Sequence, residues 1–295
     1  MKLFFEIIGI LFCLFLICFC VEQRLLLTRK KTIYLENLPA DFDGYHVLQI
    51  SDIHHKKMGK QNRRIVKKAQ QLKPDIIVIT GDLVSRDEKN FDDTAIFLHH
   101  LRQIAPVYLC LGNHELDLPP GTYHKLLQII RKSGCHLLDN ASVTIRKNKM
   151  LRLVGASLCH SVYRDENHGF RNLEKYTLEK LTKEIHPKHY CTILLAHNPF
   201  FLDIYAAWGA DLVLSGHIHG GIVRLPFVGG LLSPERKFFP KYSKGLYQQT
   251  QTQMYVSGGI GKLRLLNPSE INFFTLECTP SHKEEKNENE CFTIE

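Results

Sequence analysis

No CxxC pair occurs anywhere in the 295 residues, and the nine cysteines are an odd number, three of which (Cys13, Cys18 and Cys20) fall inside one N-terminal apolar run. That usage argues against a disulfide framework and for free thiols in reducing surroundings. Small residues are missing from the end of the same run: Ile17, Phe19, Val21 and Glu22 stand where a cleaved signal peptide needs small side chains. Ile17 and Phe19 precede the candidate cysteines of a lipoprotein site and suit it equally badly, and no twin-arginine pair lies ahead of the run. Internal repeats are absent. Charge of neither sign dominates: 38 Lys plus Arg against 30 Asp plus Glu leave +8, and part of that excess (Arg24, Arg29, Lys30 and Lys31) sits beside the apolar run. Charge therefore gives no reason to expect a nucleic-acid partner. Oligomeric state leaves no mark in the sequence.

What is present begins with the run itself. Residues 3–21 read LFFEIIGILFCLFLICFCV, with Glu6 as their one charge. A helix of this length spans roughly 28 Å, close to the hydrocarbon thickness of a bilayer. Residues 1–23 are expected to form an uncleaved transmembrane anchor, residues 24–44 a basic juxtamembrane linker, residues 45–279 one catalytic domain and the polar residues 280–295 a disordered tail. Four cations after the span oppose Lys2 and the amino terminus before it, so the domain is expected on the cytoplasmic side of the inner cell membrane.

Within the domain, short runs rich in Val, Ile, Leu and Tyr predict strands at 45–51, 75–80, 106–111, 191–196, 211–215, 253–257 and 271–277. Helical spacing predicts helices at 60–72, 91–103, 121–133 and 172–185, and residues 137–154 alternate as a hairpin would. Strand and helix in alternation imply an α/β layered fold with largely parallel strands.

Five of the apolar runs stop at residues that bind metals: Asp52-Ile53-His54, Gly81-Asp82, Gly112-Asn113-His114, Ala196-His197 and Gly216-His217-Ile218-His219. Ligands collect at the carboxyl ends of strands in α/β sheets, so these side chains are expected at one edge. Imidazole mixed with carboxylate suits Mn, Fe or Zn, where an all-oxygen set would suit Mg or Ca. Two dications ~3.5–4 Å apart repel by about 15–20 kcal/mol at an effective dielectric near 20. Two carboxylates and a bridging hydroxide offset most of that charge and leave about one positive charge for a phosphate.

DxH, GD, GNHE, a lone His and GHxH, in this order, resemble the calcineurin-like metallophosphoesterases over residues 45–277. The resemblance implies a four-layer α/β/β/α sandwich and two divalent metal ions, with Mn the first expectation and Fe, Zn or Co the others. It further implies that Asp52, His54 and His219 hold one ion, that Asn113, His197 and His217 hold the other, and that Asp82 bridges them. His114 would stabilise the transition state or protonate the leaving oxygen. The chain looks most similar to a membrane-anchored bacterial branch whose members include enzymes that split UDP-2,3-diacylglucosamine. A phosphodiester or pyrophosphate bond in a lipid-linked substrate is the corresponding expectation. A protein serine/threonine phosphatase is the alternative enzyme, since Gly81-Asp82-Leu83-Val84-Ser85-Arg86 resembles GDxVDRG, but Ser85 and Asp87 depart from that pattern. A catalytically silent membrane scaffold of the same fold is the alternative outside enzymology.

Flanking residues stay open at this level. His55 faces either solvent or substrate, and Arg86 contacts either a phosphate or Asp87 or Glu88. His160, Tyr163, Arg164 and His168 lie in an irregular stretch that suits surface loop better than roof, and His99 and His100 sit on a helical pattern. Residues 219–230 and 238–247 alternate apolar and basic groups, as an ordinary turn or an interfacial loop would.

Overall fold

Short runs dominated by apolar residues, with few polar ones among them, form strands buried on both sides. β2 (Tyr45–Ile50), β3 (Ile76–Thr80), β4 (Val107–Cys110), β8 (Cys191–Ala196) and β9 (Leu212–Ser215) are of this kind, as expected where both faces of a sheet are covered. The computed structural model describes residues 1–158, 190–225, 228–232, 238–261 and 264–279. Among them, β1 (Leu26–Leu35), β14 (Ser269–Cys278), β2, β3, β4 and β5 (His136–Leu137) form one six-stranded sheet in that order. A second sheet runs β12 (Gly245–Gln249), β13 (Thr252–Val256), β9, β8, β7 (Met150–Ala156) and β6 (Ala141–Arg146). β2, β3 and β4 are parallel neighbours, as are β7, β8 and β9.

The two-residue alternation of strands assigns each side chain to a layer. Val47, Ile76, Val78, Ile193 and Leu195 pack between the sheets. Leu48, Ile50, Ile77 and Ile79 point instead to α2 (Arg63–Leu72), α3 (Asp92–Arg102) and α5 (Pro120–Lys132), which bury Ile65, Ala69, Leu98, Leu101, Leu126 and Ile130 there. On the far side, Leu194 and Val213 meet Leu202, Tyr205 and Trp208 of α6 (Leu202–Trp208). The result is the four-layer α/β/β/α sandwich. The expected hairpin is the antiparallel pair β6 and β7.

The N-terminal residues differ from expectation. α1 (Lys2–Arg24) is an exposed apolar helix long enough to cross a membrane. Residues 24–44, expected as a linker, instead contribute β1, which pairs in parallel with β14 from Leu26↔Ser269 to Leu35↔Cys278. A short 3-10 turn (Ala40–Phe42) follows and buries Phe42. Leu26 is buried against the helical layer and Ile33 and Leu35 between the sheets, on the opposite face of β1, while Arg29, Lys30 and Lys31 in its middle are exposed. Those cations hid the strand in the sequence, and charges on an edge strand also discourage pairing with other chains. The expected helix at 172–185, the residues His160, Tyr163, Arg164 and His168, and the tail 280–295 lie outside the described residues.

Candidate metal centre

Parallel strands place their carboxyl ends together. Asp52 follows β2 by two residues, Asp82 follows β3 by two, Asn113 opens the four-residue α4 (Asn113–Leu116) after β4, and His197 and His217 follow β8 and β9. Cross-links bring the two sheets' edges into one site. The Asp52 Oδ1 accepts the backbone N–H of His217 at 2.9 Å, and His197 Nδ1 lies 2.7 Å from the carbonyl of Thr80. Gln49 adds a bond from its Nε2 to the carbonyl of Ser215 at 2.9 Å.

Backbone strain gathers here as well. Asp52 (φ 52°), His54 (52°), Asp82 (51°), His217 (73°) and His219 (56°) all occupy the left-handed region. Non-glycine residues rarely adopt it, and the cost is tolerated where it serves a site. Neighbouring glycines admit the ligands: a Cβ on Gly81 (φ 80°) would stand 2.5 Å from His197 Nδ1, and one on Gly216 would stand 2.5 Å from Asp52 Oδ2.

The donor atoms form two triads, Asp52 with His54 and His219, and Asp82 with His197 and His217, and a third group, His54 with Asp82 and His114, spans them. His54 Nε2 lies 3.3 Å from His219 Nε2, and His219 Nε2 lies 3.8 Å from Asp52 Oδ1. In the second triad His197 Nε2 lies 3.2 Å from Asp82 Oδ2, and His217 Nδ1 is 3.0 Å from Asn113 Oδ1. Asp82 Oδ2 also comes within 3.6 Å of His54 Nε2, so one carboxylate touches both triads. Ligand atoms bound ~2.0–2.2 Å from one cation stand roughly 3–3.5 Å from each other, and these separations are close to that. The buried Asp52 Oδ2 accepts no hydrogen bond among the described residues, so it retains a lone pair for a cation. The site thus carries candidate ligands for a dinuclear metal centre, of mixed carboxylate and imidazole character.

Electrostatics fit the same occupant. Burial pushes the His54 imidazole down to about 3 and His219 well below its ordinary value, the neighbouring cationic groups adding to the effect. Both rings are neutral and present lone pairs. Burial pulls His197 down too, but Asp82 and Asp52 outweigh it and raise the ring to about 10. Buried carboxylates that hold a proton on a buried imidazole are calling for positive charge.

His114 stands beside this cluster, with its ring centroid 4.3 Å from that of His54. Its Nδ1 accepts the backbone N–H of Arg86 at 3.2 Å, which places the proton of the neutral ring on Nε2. Its own backbone N–H donates to Asp82 Oδ1 at 2.9 Å.

The matched sequence decides the family. Residues 45–221 fit the model of the calcineurin-like phosphoesterases. This chain belongs to that family. A metallophosphoesterase of Aquifex aeolicus is 31% identical over 87% of this chain and 94% of its own length. The phosphodiesterase YaeI of Escherichia coli is 28% identical over 83% and 84%. The UDP-2,3-diacylglucosamine pyrophosphatase LpxG of Chlamydia muridarum is 24% identical over 85% and 89%.

In this metallophosphoesterase the seven expected ligands and His114 lie together, while the side chains of the two flanking residues pair elsewhere. His55 Nε2 pairs with Asp87 Oδ1 at 2.7 Å, and the Arg86 guanidinium pairs with Asp117 at 3.1 Å, a partner not among the expected two. Sequence reasoning passed over Glu115. Its buried carboxylate accepts the backbone N–H groups of Asp82 (2.9 Å), Gly112 (2.8 Å) and Val84 (3.0 Å), fastening the loop after β3 to the loop after β4. Burial and then Asp82 raise that carboxyl to about 7. GNHE contains Glu115, but only geometry shows what it holds. Asn267 was equally invisible: its Nδ2 donates to the carbonyls of His219 (2.6 Å) and Gly221 (2.7 Å), from 48 residues away in the first case.

Proposed function

We propose that this metallophosphoesterase is a membrane-anchored, dinuclear-metal hydrolase that cleaves a phosphodiester or pyrophosphate bond, with a nucleotide-linked lipid such as UDP-2,3-diacylglucosamine as its substrate class. The observation that carries the two-metal reading is the position of Asp82 Oδ2, 3.6 Å from His54 in one triad and 3.2 Å from His197 in the other. Asp52, His54 and His219 would hold the first ion, Asn113, His197 and His217 the second, and Asp82 both. Mn is the first candidate, with Fe, Zn or Co accepted by the same donors. When bound, such a pair polarises a water and neutralises phosphoryl charge.

The chain's own residues do the remainder. Glu115 holds the two loops at their spacing, so Asp82 meets both triads without rearrangement. His114, with Nδ1 occupied by the Arg86 N–H, would turn its Nε2–H toward the phosphoryl group, where the neutral ring stabilises transition-state charge by a hydrogen bond and the imidazolium, once formed, protonates the leaving oxygen. His54 and His219, kept neutral by burial, add no positive charge of their own. The apolar α1 and the cations at Arg24, Arg29, Lys30 and Lys31 support an inner-membrane anchor with the domain on the cytoplasmic side. The relationship to LpxG supports the lipid-linked substrate.

Full-length protein in detergent with Mn²⁺, offered UDP-2,3-diacylglucosamine and a soluble aryl phosphodiester, tests the reading. Release of UMP supports it. Cleavage of the aryl ester alone removes the lipid substrate, and no cleavage of any phosphoester by metal-loaded protein removes the enzyme.

A further inference from the structure

The last turn of α1 is fastened to one loop of the catalytic domain. Glu22 accepts the backbone N–H of Leu266 at 2.9 Å and also that of Asn267, and Gln23 Nε2 donates to the carbonyl of Arg264 at 2.6 Å. From α2, Arg64 donates to the carbonyl of Arg24 at 2.6 Å. Residues 264–267 and the end of the helix are therefore joined by hydrogen bonds at several points.

Two connections lead away from that loop. One reaches the metal centre, through Asn267 to the carbonyl of His219. The other reaches the antiparallel ribbon of β10 (Val223–Leu225) and β11 (Gly229–Leu232), because Arg224 N–H donates to the carbonyl of Leu265 at 3.0 Å and Leu265 N–H to that of Ile222 at 2.9 Å. The ribbon in turn holds residues 238 and 239, where Leu232 bridges Phe238 and Phe239 N–H donates to the carbonyl of Leu231. Along this connected backbone, Val228, Phe238, Phe239 and Leu266 are 57, 69, 61 and 55% exposed, and Leu225 is 36% exposed. Exposed apolar residues gathered in one region call for an occupant, where scattered ones do not.

We propose that the β10–β11 ribbon, with Phe238, Phe239 and Leu266, is a second membrane contact that beds into the headgroup region beside the anchor and sets the metal centre at the lipid surface. This rests on the reading of α1 as a bilayer anchor. Lipid is the occupant because the ribbon is continuous, through hydrogen bonds, with the point where α1 leaves the hydrocarbon. Aromatic and aliphatic tips of this kind lie at the interface plane, and nearby cations meet anionic headgroups. Exposed Arg63, Arg64 and Lys67 on α2, of which Arg64 bonds to the carbonyl of Arg24, supply such cations. β1 leads away from the same point, so Tyr34, eight residues beyond Leu26, lies roughly 26 Å along the strand from it.

The test is tryptophan quenching in vesicles of phosphatidylethanolamine and phosphatidylglycerol carrying brominated acyl chains. Full-length protein with Trp208→Phe receives one new tryptophan at a time: Val228→Trp, Phe238→Trp, Phe15→Trp within α1, or Tyr34→Trp. Quenching at 228 and 238 at least about half as strong as at 15, with none at 34, supports the contact. Adding Phe239→Asp to the Val228→Trp protein is expected to weaken its quenching. Position 228 or 238 behaving like 34 overturns the proposal whatever α1 does, and so does equal quenching at all four positions. Because no turnover is read, failure here is separate from failure of the phosphoesterase reading.

Discussion

Glu115 accepts the backbone N–H of Asp82 at 2.9 Å through the same Oε2 that accepts Gly112 at 2.8 Å. A carboxylate is needed for this, since the other oxygen takes a third N–H, that of Val84. Glu115→Gln replaces one acceptor with a donor and leaves at least one buried N–H without a partner, which costs about 1–3 kcal/mol. The melting temperature is expected to fall, and metal affinity to drop about 10–100-fold as for other residues that orient ligands. Calorimetry with metal titration measures both; unchanged affinity would show that Asp82 does not depend on Glu115.

Asp82→Asn removes the negative charge shared by the triads. Bound metal is expected to fall below two ions per chain by elemental analysis, and turnover of a soluble phosphodiester to fall more than ~100-fold, beyond the usual range for residues that merely orient a ligand. Two tightly bound ions in the variant would remove the bridging role. Chelation of the parent protein is expected to abolish turnover and to lower the melting temperature, both restored by Mn²⁺.

His114→Ala separates proton transfer from metal binding. The expected loss in kcat is about 10²–10⁴-fold with an alkoxide leaving group, with both ions retained. A nitrophenolate leaving group needs little protonation, so its loss is expected to be much smaller. Equal losses for the two substrates would assign His114 to charge stabilisation instead.

Gly216→Ala places a methyl group against Ser51 and 2.5 Å from Asp52 Oδ2. Overpacking of this kind costs about 1–3 kcal/mol. The expected outcome is a lower melting temperature together with weaker binding of one ion, because Asp52 belongs to the first triad. An ion content equal to that of the parent would place the strain away from the ligands.

Removal of residues 1–35 takes away β1 and, with it, the buried Leu26, Ile33 and Leu35. At about 1.5–3 kcal/mol for each buried side chain, the loss rivals the whole stability of a typical domain. A fragment beginning at residue 25 is expected to melt near the parent temperature, and one beginning at residue 36 about 10 °C lower or to be unfolded. Equal melting of the two fragments would show that β1 contributes little.

The candidate metal centre was legible because its candidate ligands come from strand ends and their neighbours, and strand ends are marked by where apolar runs stop. β8 was bounded at 191–196 by its apolar residues alone, and His197 follows at once. β1 was not legible, since its partner β14 lies more than 240 residues away and its exposed middle carries the consecutive cations that suggested a linker. Arg86 is similar: sequence offered Asp87 and Glu88 as near neighbours, but α4 brings Asp117 to it. Glu115 and Asn267 act through backbone atoms of distant loops, and no side-chain pattern along the chain encodes such contacts.

Only Leu25 separates the final helical residue Arg24 from the first strand residue Leu26, and β1 is then held in register over ten residue pairs. If α1 sits in a bilayer, no leash joins it to the domain, and the catalyst cannot swing outward to sample the surrounding solution or a neighbouring membrane. Its search is confined to a plane, so encounters scale with substrate per unit area of its own bilayer. Enzyme placed in one vesicle population should leave lipid carried by another untouched.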